Sequence, residues 1–125
     1  MGKDLHYTIR PFIERVLLGH QNVQSFELLE NPQYFIYKIC RKQGMSDLKV
    51  ILADDYHFGE VSKLKIMPLL KGGGYILLAK PEANGIVSND TENKVGIGKI
   101  GKLLGALNVE EYWNYIPPQK GKAPN

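Results

Sequence analysis

Cysteine is almost missing from this chain. Cys40 is the one thiol among 125 residues, so neither a disulfide framework nor a cysteine-based zinc site can be drawn. Long apolar runs are missing too: no stretch approaches the roughly 20 residues of a membrane helix, and Met1-Gly2-Lys3-Asp4 lacks the apolar segment of a signal peptide. No membrane partner is expected, and the expected location is cytoplasmic. Met1-Gly2 opens like a myristoylation signal, yet His6 stands where Ser or Thr is required. A large charge surplus is also absent. Sixteen basic and 13 acidic residues leave +3, which permits nucleic acid without demanding it.

What remains is an ordinary globular composition, 43% hydrophobic and 23% charged, which excludes collagen-like, coiled-coil and mainly disordered chains. A chain of this size buries about two thirds of its unfolded surface, enough for a core without metal or disulfide support. The expected organisation is one domain over residues 1–116 with a Pro- and Lys-containing tail over 117–125. The basic surplus is local. Residues 36–50 carry Lys38, Arg41, Lys42 and Lys49 against Asp47.

Ile9, Phe12, Ile13, Val16 and Leu17 share one helical stripe, which predicts a helix over roughly 4–19 ending at Gly19. Two β-favouring segments, 23–29 and 33–42, flank Glu30-Asn31-Pro32 and read as a hairpin. A third strand, 48–53, follows the turn at Gln43-Gly44. Phe58, Val61 and Leu64 predict a crossover helix over 58–67, halted by Pro68. Tyr75 to Ala79 then predict a strand parallel or nearly so to 48–53. Residues 83–94 have loop composition, and Ile97, Ile100, Leu103, Leu104 and Leu107 define a last helix. Glu110 to Ile116 fits either a helical turn or a strand. The fold expected is α/β (α+β), with a mixed sheet of about four strands in the order α-β-β-β-α-β-α.

Gly96-Ile97-Gly98-Lys99-Ile100-Gly101-Lys102 imitates two nucleotide-binding patterns and satisfies neither. The dinucleotide fingerprint needs a buried strand before it, and 91–95 make a poor one. A P-loop needs Ser or Thr after Gly101-Lys102, where Leu103 stands. Gly101 and Gly105, four apart on a helix, instead suggest close backbone packing and a possible homo-oligomer contact. Lys99 and Lys102 would share a helical face and could meet phosphate. Leu69 to Ala79 resembles a late segment of class I methyltransferases, whose earlier glycine-rich cofactor turn is lacking here.

The strongest chemical constellation lies where parallel strands end. Asp54, Asp55, His57 and Glu60 leave strand 48–53, while Lys80 and Glu82 leave strand 75–79, and such C-terminal edges are where open α/β sheets hold ligands. Adjacent aspartates point oppositely from an extended strand, so one faces the cleft and the other caps the following helix. The candidate catalytic residues are Asp54, His57 as general base and Lys80. Asp54, Glu60 and Glu82 are candidate ligands for Mg2+. His6 and His20 lie too far apart for a shared ligand site. Tyr112, Trp113 and Tyr115 offer either packing over the sheet or a stacking surface.

Helix, three-strand meander, helix, strand, helix is similar to the element order of restriction-endonuclease-like nucleases. Their motif joins an Asp, often after Pro, to a later Asp or Glu, any residue, and Lys. Asp47-Leu48-Lys49 matches the second half; Pro32 is followed by Gln33, so Glu14, Glu27 or Glu30 would have to replace the first acid. The resemblance implies a diverged member. The function expected is therefore a small non-catalytic accessory or regulatory module without a cofactor, binding nucleic acid, a phosphate-bearing ligand or a protein partner through Lys38, Arg41, Lys42, Lys99 and Lys102. The alternative is a divalent-metal-dependent phosphodiesterase or nuclease, using Asp54, Glu60, Glu82 and Lys80, or Asp47 and Lys49 with Glu14.

Overall fold

Five consecutive residues, Gly74 to Leu78, are buried without interruption. Side chains alternate across a strand, so such a segment needs cover on both faces. The computed structural model describes residues 10–29, 31, 34–53, 66–78 and 89–116, and it supplies that cover. Helix α1 (Arg10–Gly19) is followed by β1 (Val23–Leu29), β2 (Ile36–Arg41), β3 (Leu48–Ala53), β4 (Gly74–Leu78), β5 (Val95–Gly98) and helix α2 (Ile100–Ala106). Short 3-10 turns occupy Met67–Leu70, Thr91–Asn93 and Tyr112–Asn114.

The strands form one mixed five-stranded sheet in chain order. β1, β2 and β3 make an antiparallel meander, while β3, β4 and β5 run parallel. On the first face, Ile13 and Leu17 of α1, Leu103 and Ala106 of α2, and Tyr112 pack on Tyr37, Ile39, Val50, Tyr75 and Leu77. On the second, Ile66 and Leu70 cover Ile36, Ile51, Ile76 and Leu78. Each such aliphatic side chain stabilises the fold by about 1.5–3 kcal/mol relative to exposure, and the periods of 3.6 and 2 put them on these faces.

β1 and β3 occupy the expected ranges. The hairpin bend follows its turn chemistry, with Asn31 Oδ1 accepting the Tyr34 N–H at 2.8 Å. β2 is shorter than 33–42, and β4 begins one residue before Tyr75. Parallel pairing of β3 with β4 agrees with the expectation, Ala53 lying opposite Leu78. Residues 4–9 of the expected helix over 4–19, 58–65 of that over 58–67, 83–88 of the expected loop over 83–94, and the tail from 117 lie outside the described residues, and a 3-10 turn over Met67–Leu70 includes Pro68.

The sheet has one strand more than expected. Val95 to Gly98 is a buried strand, not a poor approach to a helix, and α2 begins only at Ile100. Its two glycines are space for a neighbour. A Cβ on Gly96 would lie 2.7 Å from the Tyr75 ring, and one on Gly98 would lie 2.6 Å from Lys102 Cδ and 2.7 Å from the Tyr75 hydroxyl. The Gly101/Gly105 expectation is also corrected: among the described residues no other backbone is the near neighbour of either glycine. The Tyr115 hydroxyl and ring fill the notch at Gly105, and Gly101 faces open space. Tyr112 to Asn114 resolve the ambiguous segment as a helical turn.

These two classes of glycine respond oppositely to a methyl group. Gly96→Ala is expected to destabilise the protein by about 1–3 kcal/mol through overpacking against Tyr75, whereas Gly101→Ala stabilises it by about 0.4–1 kcal/mol by stiffening the unfolded chain. Urea unfolding of both variants measures this; equal effects would contradict the assigned packing.

Candidate functional site

The register across β3, β4 and β5 brings their C-terminal ends to one side. Ala53 lies beside Leu78, and Leu77 beside Gly98, so the points at which residues 54, 79 and 99 continue the chain are neighbours. Asp54, His57, Glu60, Lys80 and Glu82 lie outside the described residues. Of the described residues at this edge, Lys99 is exposed and its carbonyl accepts the Tyr75 hydroxyl at 3.4 Å. Lys102 is half-buried, and its Nζ donates to the Ile97 carbonyl at 2.8 Å. Burial lowers its pKa. Lys99 precedes α2, so the two lysines do not stand on one helical face as expected. Among the described residues, no group of three His, Cys, Asp or Glu side chains is arranged to hold a metal.

Arg41 departs furthest from its expected role as a ligand-binding cation. Its side chain has 0% exposure. Nε donates to the Ser46 carbonyl at 2.8 Å, and the Nη groups donate to the carbonyls of Val109 at 2.7 Å, Leu107 at 3.3 Å and Glu110 at 3.4 Å. The guanidinium lies 5.7 Å from the Tyr112 ring centroid. Five donors in a rigid fork suit this task, because carbonyls beyond the last turn of α2 have no helical partner. Burial lowers the Arg41 pKa, opposed mainly by the negative charge of Glu110, whose carboxylate is held by the Ser46 amide and hydroxyl. Arg41 therefore ties β2 to the end of α2.

Opposite sheet faces separate Glu14 from the Asp47 and Lys49 half of the nuclease-like motif. Tyr37 points to the first face, where its hydroxyl donates to Glu14 at 2.7 Å, and Arg10 donates to the same carboxylate at 2.8 Å. Lys38 follows Tyr37 and belongs to the second face. There the register sets Glu27 opposite Lys38, and Lys38 opposite Lys49. Asp47 lies 3.9 Å from Lys38 Nζ, both about half exposed, and Lys49 Nζ donates to the Leu69 carbonyl at 3.3 Å. Asp47 and Lys49 thus cannot converge with Glu14, which corrects that version of the motif. Lys42 is exposed beyond the end of β2, at the opposite end of the sheet from Lys99.

Two lysines directly opposite on adjacent strands repel each other. Glu27, opposite Lys38, and the exposed Lys38–Asp47 ion pair offset this in part, each by about 0–1 kcal/mol. The sequence places Lys38 and Lys49 together in the local basic surplus of residues 36–50, and Lys49 also in the nuclease motif, but does not pair them. Their partnership depends on strand register.

Other expected surfaces have structural duties. Trp113 packs edge-on against Tyr112 and lies under Lys94 Nζ at 5.4 Å. Asn89 ties the segment down, its Nδ2 donating to the carbonyls of Trp113 at 2.8 Å and Tyr115 at 3.1 Å. His20 Nδ1 accepts the Asn22 N–H at 3.1 Å, leaving Nε2 to donate to the Leu104 carbonyl at 2.9 Å.

The Glu14 cluster sets a pH dependence. Burial acts to raise the carboxyl pKa, but hydrogen bonds from Arg10 and Tyr37 prevail and hold it below its ordinary 4.5. A depressed folded pKa stabilises above the unfolded value and is lost as pH falls through the folded one. Stability measured by urea unfolding should fall below about pH 4.5, and Glu14→Gln should lose that component of the slope. An unchanged slope would contradict the assignment.

No protein-family description, curated protein or solved structure matches this chain.

Proposed function

We propose that this chain is a non-catalytic nucleic-acid-binding module that holds backbone phosphate over the Lys38–Lys49 pair. The observation that carries this reading is their register: Lys38 and Lys49 are directly opposite on adjacent strands of one sheet face, an arrangement that a phosphate would relieve. The meander followed by a parallel strand supports part of the element order on which the restriction-endonuclease-like resemblance rests, and the fifth strand departs from it. Within that likeness, Lys38 stands beside Asp47 where metal chemistry would want a second carboxylate, and Glu14 is on the other face. Phosphate binding without cleavage is what such a charge set supports. Binding of labelled DNA and RNA, measured by anisotropy at several salt concentrations, should weaken as salt rises. Lys38→Gln and Lys49→Gln should each reduce the log–log salt slope by up to about 1, while Asp47→Asn should tighten binding. Salt-independent affinity, or slopes unchanged by both lysine variants, would overturn the reading.

A second reading, a divalent-metal-dependent phosphodiesterase using Asp54, Glu60, Glu82 and Lys80, draws on the neighbouring C-terminal ends of β3 and β4. It predicts that Mg2+, Mn2+ or Ca2+ raises the melting temperature of the native chain and not of Asp54→Ala. No shift with any of the three would remove it.

A further inference from the structure

The two rims of the sheet differ. The outer side of β5 is occupied: the Ile97 N–H donates to Asn89 Oδ1 at 3.0 Å, and Asp90 and Val95 exchange backbone hydrogen bonds of 2.8 and 2.9 Å. β1 forms the other end of the sheet, and among the described residues no strand pairs with its outer side. A row of unpaired N–H and C=O groups is a template for another strand. Gln24, Ser25, Glu27 and Leu28 are all exposed along it, Leu28 by 38%.

We propose that β1 pairs with β1 of a second copy of this chain, antiparallel, about a two-fold axis through Phe26. The residues of β1 select the register. A two-fold axis normal to an antiparallel pair brings together residues whose side chains share a face, so it passes through a residue position. An axis at Glu27 would set that carboxylate against the partner's Glu27, an unfavourable like-charge pair. At Phe26 it sets the Ser25 hydroxyl against the carboxylate of the partner's Glu27, once in each direction. It also sets Leu28 beside the partner's Gln24 and the two Phe26 rings together. The register shift between Val23 and Ser25 takes the strand out of regular pairing at that end, so the ladder is short and the association weak.

This pairing makes one continuous ten-stranded sheet, twice the five strands of one copy, with both Lys38–Lys49 pairs on the same face. Three strand spacings separate the two Lys38 positions, about 15 Å at the usual inter-strand distance of about 4.8 Å. The dimer would therefore present two anion-binding patches side by side, although its formation does not depend on the nucleic-acid reading.

Sedimentation equilibrium of the full chain without nucleic acid tests it. A reversible monomer–dimer equilibrium is expected. Ser25→Glu should weaken the dimer about two- to thirtyfold, because two cross-strand contacts change together, and Ser25→Lys should strengthen it over a similar range. Both substitutions are at an exposed position, and an unchanged unfolding midpoint would show that each variant folds. A monomer at every concentration, or a dimerisation constant that does not move in opposite directions in the two variants, would overturn the proposal.

Discussion

Burial of β4 on both faces is the constraint on which the rest of this structure depends. Tyr75 and Leu77 enter one apolar cluster, Ile76 and Leu78 the other, so layers are required above and below. The parallel strands β3 and β4 cannot be joined by a tight turn, and the chain between them must cross a face of the sheet. Ile66 and Leu70 on that connection supply second-face cover. On the first face, the Tyr75 ring and Lys102 occupy the space that side chains at Gly96 and Gly98 would take. Tyr75 needs Gly96 and Gly98 beside it, which fixes the composition of β5.

Two-faced burial relaxes across β2, where an exposed Lys38 interrupts an otherwise largely buried strand. Its first-face residues remain structural: Tyr37 meets Glu14, and Arg41 closes the end of α2. On the second face the register sets Lys38 between Glu27 and Lys49, so that two lysines face each other. Packing thus places the lysine pair, and the electrostatic cost of that placement is the basis for proposing an anionic ligand. The same register keeps Glu14 away from Asp47 and Lys49, and among the described residues no three acids assemble as a metal site would require.

Much of the fold was legible because local chemistry and burial agree. Asn31 turns the first hairpin, the run from Leu48 has a clear start after Gly44, and the apolar run after Gly74 needs no partner to be recognised as a strand. β5 was not legible, since two glycines in four residues lower its intrinsic strand preference. It becomes a strand through Tyr75 and Asn89, neighbours in space and not in sequence. Arg41 was misread for a related reason. A basic residue at a strand end is ordinarily exposed, and the carbonyls that bury it belong to residues 107–110 as well as Ser46. Of the candidate site, the basic surplus that holds Lys38 and Lys49 was visible, whereas their pairing across β2 and β3 was not, because composition carries no register. The acidic cluster near residues 54–60 falls outside the described residues.

The most direct measurement is a backbone amide shift titration of the labelled protein with a short single-stranded oligonucleotide. The account predicts that the largest changes fall on Lys38, Lys49 and the residues beside them on β2 and β3. Changes confined to Lys99 and the C-terminal ends of β3 and β4, with Lys38 and Lys49 unmoved, would contradict it.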